Sequence, residues 1–186
     1  MQMKGKIMNK ATRILANMTS DVYKAMTAAL GDISEEVDLS RQAEYINNLL
    51  NYTETNDISM QNVMRKCGGN CLSQEVIALA KNIYEKSSTI DQFLAELNDI
   101  GIGGRNLHME NGKVIAIYKN CYCDIPYEIK KFNPSYCQCS AGWFEHLFSG
   151  VFGKPVSVKI IDTITNGAKE CTFEIDCPNL SEGENE

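Results

Sequence analysis

Eight cysteines stand in this 186-residue chain against two histidines and one tryptophan. They fall in pairs: Cys67 and Cys71, Cys121 and Cys123, Cys137 and Cys139, Cys171 and Cys177. Thiolate is a soft ligand suited to zinc, Cu(I) and iron–sulfur clusters. In a reducing compartment clustered cysteines hold metal or do thiol chemistry more often than they form disulfides. With Zn–S bonds of about 2.3 Å, two ligands of one ion must bring their sulfurs within roughly 4 Å. Residues i and i+2 of an extended strand lie about 6–7 Å apart. Cys121-Tyr122-Cys123 and Cys137-Gln138-Cys139 therefore chelate one ion only where the chain curls. Cys67 and Cys71 share a helix face if the helix survives Gly68-Gly69. The expected metal set is Cys67, Cys71, Cys121, Cys123, Cys137 and Cys139. It would hold zinc or, alternatively, an iron–sulfur cluster, since both take four thiolates. The competing accounts are ordinary buried thiols, thiol catalysis and disulfides.

For catalysis the candidate nucleophile is Cys139. It precedes a helix starting at Ser140, where free N–H groups and the macrodipole lower a thiol pKa. A nucleophilic cysteine needs a base within hydrogen-bond reach. His146 is two helical turns on, about 10 Å away, and cannot serve through the local helix. His108 could arrive only by the fold. His146 and Glu145 otherwise read as solvated helix residues. There is no Ser-His-Asp pattern, P-loop or dinucleotide fingerprint, and Gly101-Ile102-Gly103-Gly104 lacks the preceding strand that a phosphate cradle requires.

The elements that must position these groups change character near Gly104. Before it, apolar residues recur at helical spacing. One helix runs from Asn9 to Leu30 through Ile14, Met18, Val22, Ala25, Met26 and Ala29, with Gly31 as its C-cap. Others start near Ser40, Ser59, Ser73 and Thr89, the one from Ser59 broken by Gly68-Gly69 and the last ending near Gly101. Thr89 and Gln92 have capping-box spacing. After Gly104, Leu107 to Tyr118 reads as a hairpin turning at Glu110-Asn111-Gly112. A long loop then carries both Cys-x-Cys pairs. An amphipathic helix from Ser140 to Gly150 follows, and strands Val156–Ile161 and Glu170–Ile175 turn at Thr165-Asn166-Gly167. The fold class is α+β, a helical N-terminal half packed on an antiparallel sheet. The expected organisation is one domain over residues 1–180, mainly helical over 1–104 and sheet plus helix over 105–176. Residues 181–186 are read as an acidic, disordered tail.

Composition bounds the function. Eighteen Lys and Arg against 24 Asp and Glu give a net charge of −6. Such an acidic chain excludes nucleic acid and anionic membrane as partners, since both call for a basic surface. No stretch approaches the roughly 20 apolar residues that span a bilayer. The lysines of Met1 to Lys10 have no apolar run behind them, so no secretory signal is read there and a cytoplasmic protein is expected.

The C-terminal third carries a resemblance. Ser140-Ala141-Gly142-Trp143-Phe144, Gly153-Lys154-Pro155-Val156, and Thr163-Ile164 through Gly167 to Cys171-Thr172-Phe173-Glu174-Ile175 resemble the 4-vinyl reductase-type small-ligand domain. Related chains include proteins similar to L-2-amino-thiazoline-4-carboxylate hydrolase. The resemblance covers about residues 105–176 and implies an antiparallel sheet packed by helices. In aromatic-sensing members zinc is held by a Glu-x-x-Cys pair, a later Cys and an upstream Cys. Cys171 matches the later Cys and Gly167 the glycine before it. Ile160 and Thr163 occupy the Glu and first Cys positions, so that zinc site is not intact here. The resemblance also implies a hydrophobic ligand pocket, with Trp143, Phe144, Phe152 and Phe173 as candidates to line it.

The expected function is therefore a cysteine-rich metal-binding protein, zinc first, with a small hydrophobic molecule as a further ligand. The alternative is a hydrolase of a small C–N or C–S bond, with metal-activated water or Cys139 as nucleophile. A homodimer is left open by the sequence.

Overall fold

The computed structural model describes residues 9–177. The N-terminal lysine segment up to residue 8 and the acidic 181–186 tail lie outside the described residues. The α+β expectation is met: helices and a four-stranded antiparallel sheet, with the helical half first.

The first apolar stripe forms two helices rather than one, α1 (Lys10–Ala16) and α2 (Ser20–Leu30). The break has a local cause. Asn17 caps α1 and its side chain donates to the Arg13 carbonyl at 2.8 Å, while Thr19 is extended as the N-cap of α2. Short polar side chains of this kind compete with the helical ladder for backbone partners. Helix α3 (Leu39–Thr55) is opened by the Asp38 carboxylate accepting from Arg41 N at 2.8 Å. Then come α4 (Gln61–Gly69), α5 (Gln74–Lys86) behind its Ser73 cap, and α6 (Ile90–Ile100) behind Thr89. Gly101 ends α6 in the left-handed region at φ 83°.

Strands β1 (Leu107–Glu110) and β2 (Lys113–Tyr118) form the predicted hairpin. Its two turn residues, Asn111 and Gly112, both have positive φ, as a two-residue turn matched to strand twist demands. After a loop with two short 3-10 turns comes α7 (Gln138–Phe152), followed by β3 (Ser157–Asp162) and β4 (Cys171–Asp176). The sheet order is β1-β2-β4-β3, every neighbour antiparallel.

Two hydrophobic clusters result. One packs α5, α6 and α7 on the sheet, with Phe93, Phe144, Phe148 and Phe173 fully buried. The other gathers α1 to α4 around Ile14, Met26, Ile46, Leu49 and Met64, and draws in Ile125, Phe132 and Tyr136 from the loop before α7. They adjoin where α4 crosses α7. At that crossing the backbones nearly touch: a Cβ on Gly68 would lie 1.8 Å from the Cys139 carbonyl oxygen, and one on Gly142 would lie 2.0 Å from that of Arg65. Gly68-Gly69 forms the last two residues of α4, which ends there as the sequence suggests, and Gly68 also admits α7 at a distance no side chain allows.

The crossing is fastened by one cation. Arg65 of α4 donates from Nε to the Gln138 amide oxygen at 2.8 Å and from Nη2 to the Val158 carbonyl at 3.0 Å, and its guanidinium pairs with Glu145. Glu145 is thus a buried-side partner and not a solvated residue.

Candidate functional site: a thiol cluster on a buried ammonium

The close crossing sets Cys67 in α4, Cys71 just past its end and Cys139 in the first turn of α7 side by side. Their sulfurs lie within hydrogen-bond reach of one another. Cys67 is completely buried, whereas Cys71 is exposed. Onto this trio comes a side chain from the far N-terminus. Lys10 Nζ lies 2.8 Å from Cys139 Sγ and 3.4 Å from Cys71 Sγ. Its backbone N–H is tied to the Gln42 side chain at 3.1 Å, and its ammonium stands 5.8 Å from the centre of the Tyr136 ring.

The electrostatics follow from this packing. Burial works against the Lys10 charge, but the sulfurs of Cys139, Cys67 and Cys71 outweigh it, so the ammonium is held more firmly than a free lysine's. The hydrogen bonds from Cys139 and Cys67, with the Lys10 charge behind them, drive the Cys71 thiol far below its ordinary range. The same contacts work in reverse on Cys139: hydrogen bonding with Cys67 and Cys71, then burial, raises it well above its ordinary value. At Cys67 the Cys139 hydrogen bond lowers the pKa, yet Cys71 and burial together leave it raised. The trio therefore releases one proton easily and retains the others. Cys139, the expected nucleophile at the helix N-terminus, and Cys71 are both within reach of the Lys10 ammonium and share its charge. Neither histidine reaches Cys139 as a base: His146 lies with its Cβ over Gly69, and His108 faces Glu110 on β1.

The six expected metal ligands are thus divided. Cys67, Cys71 and Cys139 converge. Cys137, two residues from Cys139 but on the other side of the helix start, contacts Cys171 and bonds to the Thr165 hydroxyl at 3.0 Å. The hydrogen bonds from Cys137 and from Ile164 N–H, the latter at 3.3 Å, lower Cys171 to about 7 despite burial. Cys137 itself is pushed up by Cys171 and by burial. Cys123 contacts the Tyr136 hydroxyl at 2.8 Å, and Cys121 sits by Tyr127, whose hydroxyl accepts from Cys121 N at 2.9 Å. Cys177 is buried in the sheet-side cluster, its thiol raised to about 12 chiefly by burial. Among the described residues, no group of three or more His, Cys, Asp and Glu side chains is placed to hold a metal ion. At the Cys67–Cys71–Cys139 trio, the Lys10 ammonium lies among the sulfurs an ion would need.

The four aromatics named as pocket candidates fill the sheet-side core. Phe144 and Phe173 are fully buried with ring centres 5.3 Å apart, Phe152 stacks on Phe148, and Trp143 packs edge-on to Phe144. The open cleft of about 930 Å³ beside the loop is lined by none of them.

A small α+β protein with a buried thiol–ammonium cluster at a helix crossing is the class these features define. The family model for the family of unknown function DUF6144 matches residues 2–180, and the chain belongs to that family. The 4-vinyl reductase-type resemblance over residues 105–176 is not what that model returns. No curated protein matches the chain. Among solved structures, an H-NOX protein from S. oneidensis in the Fe(II)NO ligation state is similar at 13% identity and a TM-score of 0.44. That match covers 95% of this chain and 100% of that one. No helix among the described residues is long and apolar enough to cross a membrane.

Proposed function

We propose that this protein binds a soft metal ion, zinc in the first instance, through Cys67, Cys71 and Cys139. The observation that carries the reading is the convergence of three thiols from two helices, one already primed to ionise, at a crossing built from glycines. A soft cation is what three sulfurs at such close quarters coordinate best. Lys10 supplies the counter-charge in the absence of an ion, and binding would turn it out of the cluster. Metal uptake would release the protons that Cys67 and Cys139 retain, so affinity climbs with pH. Cys121, Cys123 and Cys137 are then outside the ligand set, and zinc is favoured over a four-thiolate cluster because three sulfurs leave one position to water. The hydrolase reading has less support: neither histidine reaches Cys139, and the Lys10 nitrogen beside it is held as ammonium.

Titration of the reduced protein with Co(II), read by thiolate-to-metal charge-transfer absorption and checked by Zn(II) competition, tests this. One equivalent binds, and Cys67→Ser, Cys71→Ser and Cys139→Ser each abolish the band while Cys121→Ser and Cys123→Ser leave it. Absence of a stoichiometric band, or equal loss in the Cys121 and Cys123 variants, overturns the reading.

A further inference from the structure

Away from the Cys67–Cys71–Cys139 trio, the open cleft of about 930 Å³ runs between α3 and the loop before α7. One wall is a single face of α3, carrying Asn47, Asn51 and Glu54 at helical spacing. Asn133, itself 5% exposed, arranges that wall. Its backbone N–H donates to Asn47 Oδ1 at 2.8 Å, and its side-chain amide donates to Asn51 Oδ1 at 2.9 Å and to Glu54 Oε2 at 2.8 Å. Because the oxygens of both asparagines are occupied in this way, their NH2 groups are left as donors without a protein partner among the described residues. The Glu54 carboxylate is meanwhile occupied in part by Asn133. From the loop side come Lys130 and Lys131, adjacent cations in a chain of net charge −6, and neither forms an ion pair among the described residues. Ile129 and Phe132 add apolar lining.

We infer that this cleft binds a small organic oxyanion, a carboxylate or a phosphate monoester attached to an apolar group. The chemistry is that of the wall. Two amide donors whose orientation is fixed by a buried asparagine line the cleft together with two unneutralised ammonium groups and the apolar Ile129 and Phe132. Such a site favours an anion over a neutral molecule of the same shape through charge-assisted hydrogen bonds. Its independence from the metal reading is complete, since neither Cys67, Cys71 nor Cys139 lines it.

The test uses the whole reduced chain, labelled with 15N, and three probes sharing one ring: phenyl phosphate, benzoate and benzyl alcohol. The two anions distinguish phosphate from carboxylate. At least one of them shifts the Asn47 and Asn51 side-chain amide signals saturably, more weakly as salt is raised, and benzyl alcohol does not. Asn51→Asp keeps an oxygen for Asn133 to donate to but replaces the free donor by negative charge, and it weakens binding about tenfold or more. The surface double variant Lys130→Gln/Lys131→Gln does the same without touching the buried network, and serves where Asn51→Asp fails to fold. No saturable shift with either anion, equal binding of benzyl alcohol, or unchanged affinity in the double variant overturns the inference.

Discussion

The Nζ of Lys10 lies 2.8 Å from the Sγ of Cys139, a contact between residues 129 positions apart. It explains how an ammonium is kept at 8% exposure, and its charge adds to the hydrogen bonds from Cys139 and Cys67 that lower the Cys71 thiol. An opposite charge at this range moves a pKa by about 1–3 units. Lys10→Met keeps the stem and removes the charge, which disfavours the thiolate form. The pH midpoint for alkylation of Cys71 by iodoacetamide should rise by about 1 unit or more. A midpoint that stays where it is in wild type would show that hydrogen bonds from Cys139 and Cys67 hold the thiolate alone.

A second expectation concerns the crossing itself. The Cβ of Gly68→Ala or Gly142→Ala would meet backbone oxygen at 1.8 or 2.0 Å, and backbone has no rotamer by which to yield. Each variant gains about 1 kcal/mol in helix propensity yet should lose about 2 kcal/mol or more net, because α4 and α7 must move apart. Gly153→Ala is the comparison: nothing lies within 4 Å of its Cβ, but φ is +66°, so about 1 kcal/mol is expected. Urea denaturation ranks the three. The crossing variants should also raise the alkylation midpoint of Cys71, since the trio is assembled there; stability loss without that rise would separate the thiols from the crossing.

These two cases show what the sequence carries and what it does not. Helix stripes, the Ser73, Thr89 and Gly101 boundaries, and the Asn111-Gly112 hairpin are local physics, and they read off directly. Gly68-Gly69 reads locally as a helix end, and α4 does end at Gly69. The close approach at Gly68 is not legible there, because it depends on a partner helix about seventy residues on. Cys67 and Cys71 share a helix face only if the helix runs past Gly68-Gly69; it does not, yet Cys71, just past the end of α4, still reaches the Cys67 carbonyl at 3.3 Å. Their meeting with Cys139, and the parting of Cys139 from Cys137, follow from α7 starting at Gln138 and not at Ser140. Lys10 left one trace. It sits one turn before Ile14 on the buried stripe of α1, where a lysine has no business without an acid or a sulfur to meet.

The Cys137–Cys171 pair makes stability depend on pH with a definite sign. Hydrogen bonding from Cys137 and from Ile164 N–H lowers the folded Cys171 pKa to about 7 from an ordinary value near 9. A depressed folded pKa means that the unfolded chain binds more protons between those values, so stability rises with pH across that window and is lost as pH falls through 7. Cys137 is shifted the opposite way, so its contribution is present below about 9 and declines above it. Unfolding free energy measured under reducing conditions should therefore climb from pH 7 to 9 more steeply in wild type than in Cys171→Ala. Cys137→Ala should flatten the climb too, by removing the donor. Parallel wild-type and Cys171→Ala curves would mean that the pair is not the source.

Arg65 ties three elements at once, and removing it should cost more than removing its acid. With side-chain exposures of 17% for Arg65 and 25% for Glu145, the pair is largely shielded from water. Arg65→Met leaves the Glu145 carboxylate, the Gln138 amide oxygen and the Val158 carbonyl without their donor. Stranded polar groups of this kind cost more than the bonds they lose, so about 2–3 kcal/mol is expected. Glu145→Gln keeps an oxygen to accept from the guanidinium and leaves the other two bonds intact, so about 1 kcal/mol is expected. Because Arg65 also lies under Gly142, its backbone position is fixed by the crossing and the side chain only by these bonds. Guanidinium-chloride denaturation of the two variants decides the matter: equal losses would place the stabilisation in the ion pair alone, whereas the larger loss in Arg65→Met assigns it to the three-way clamp that holds α4, α7 and β3 in register.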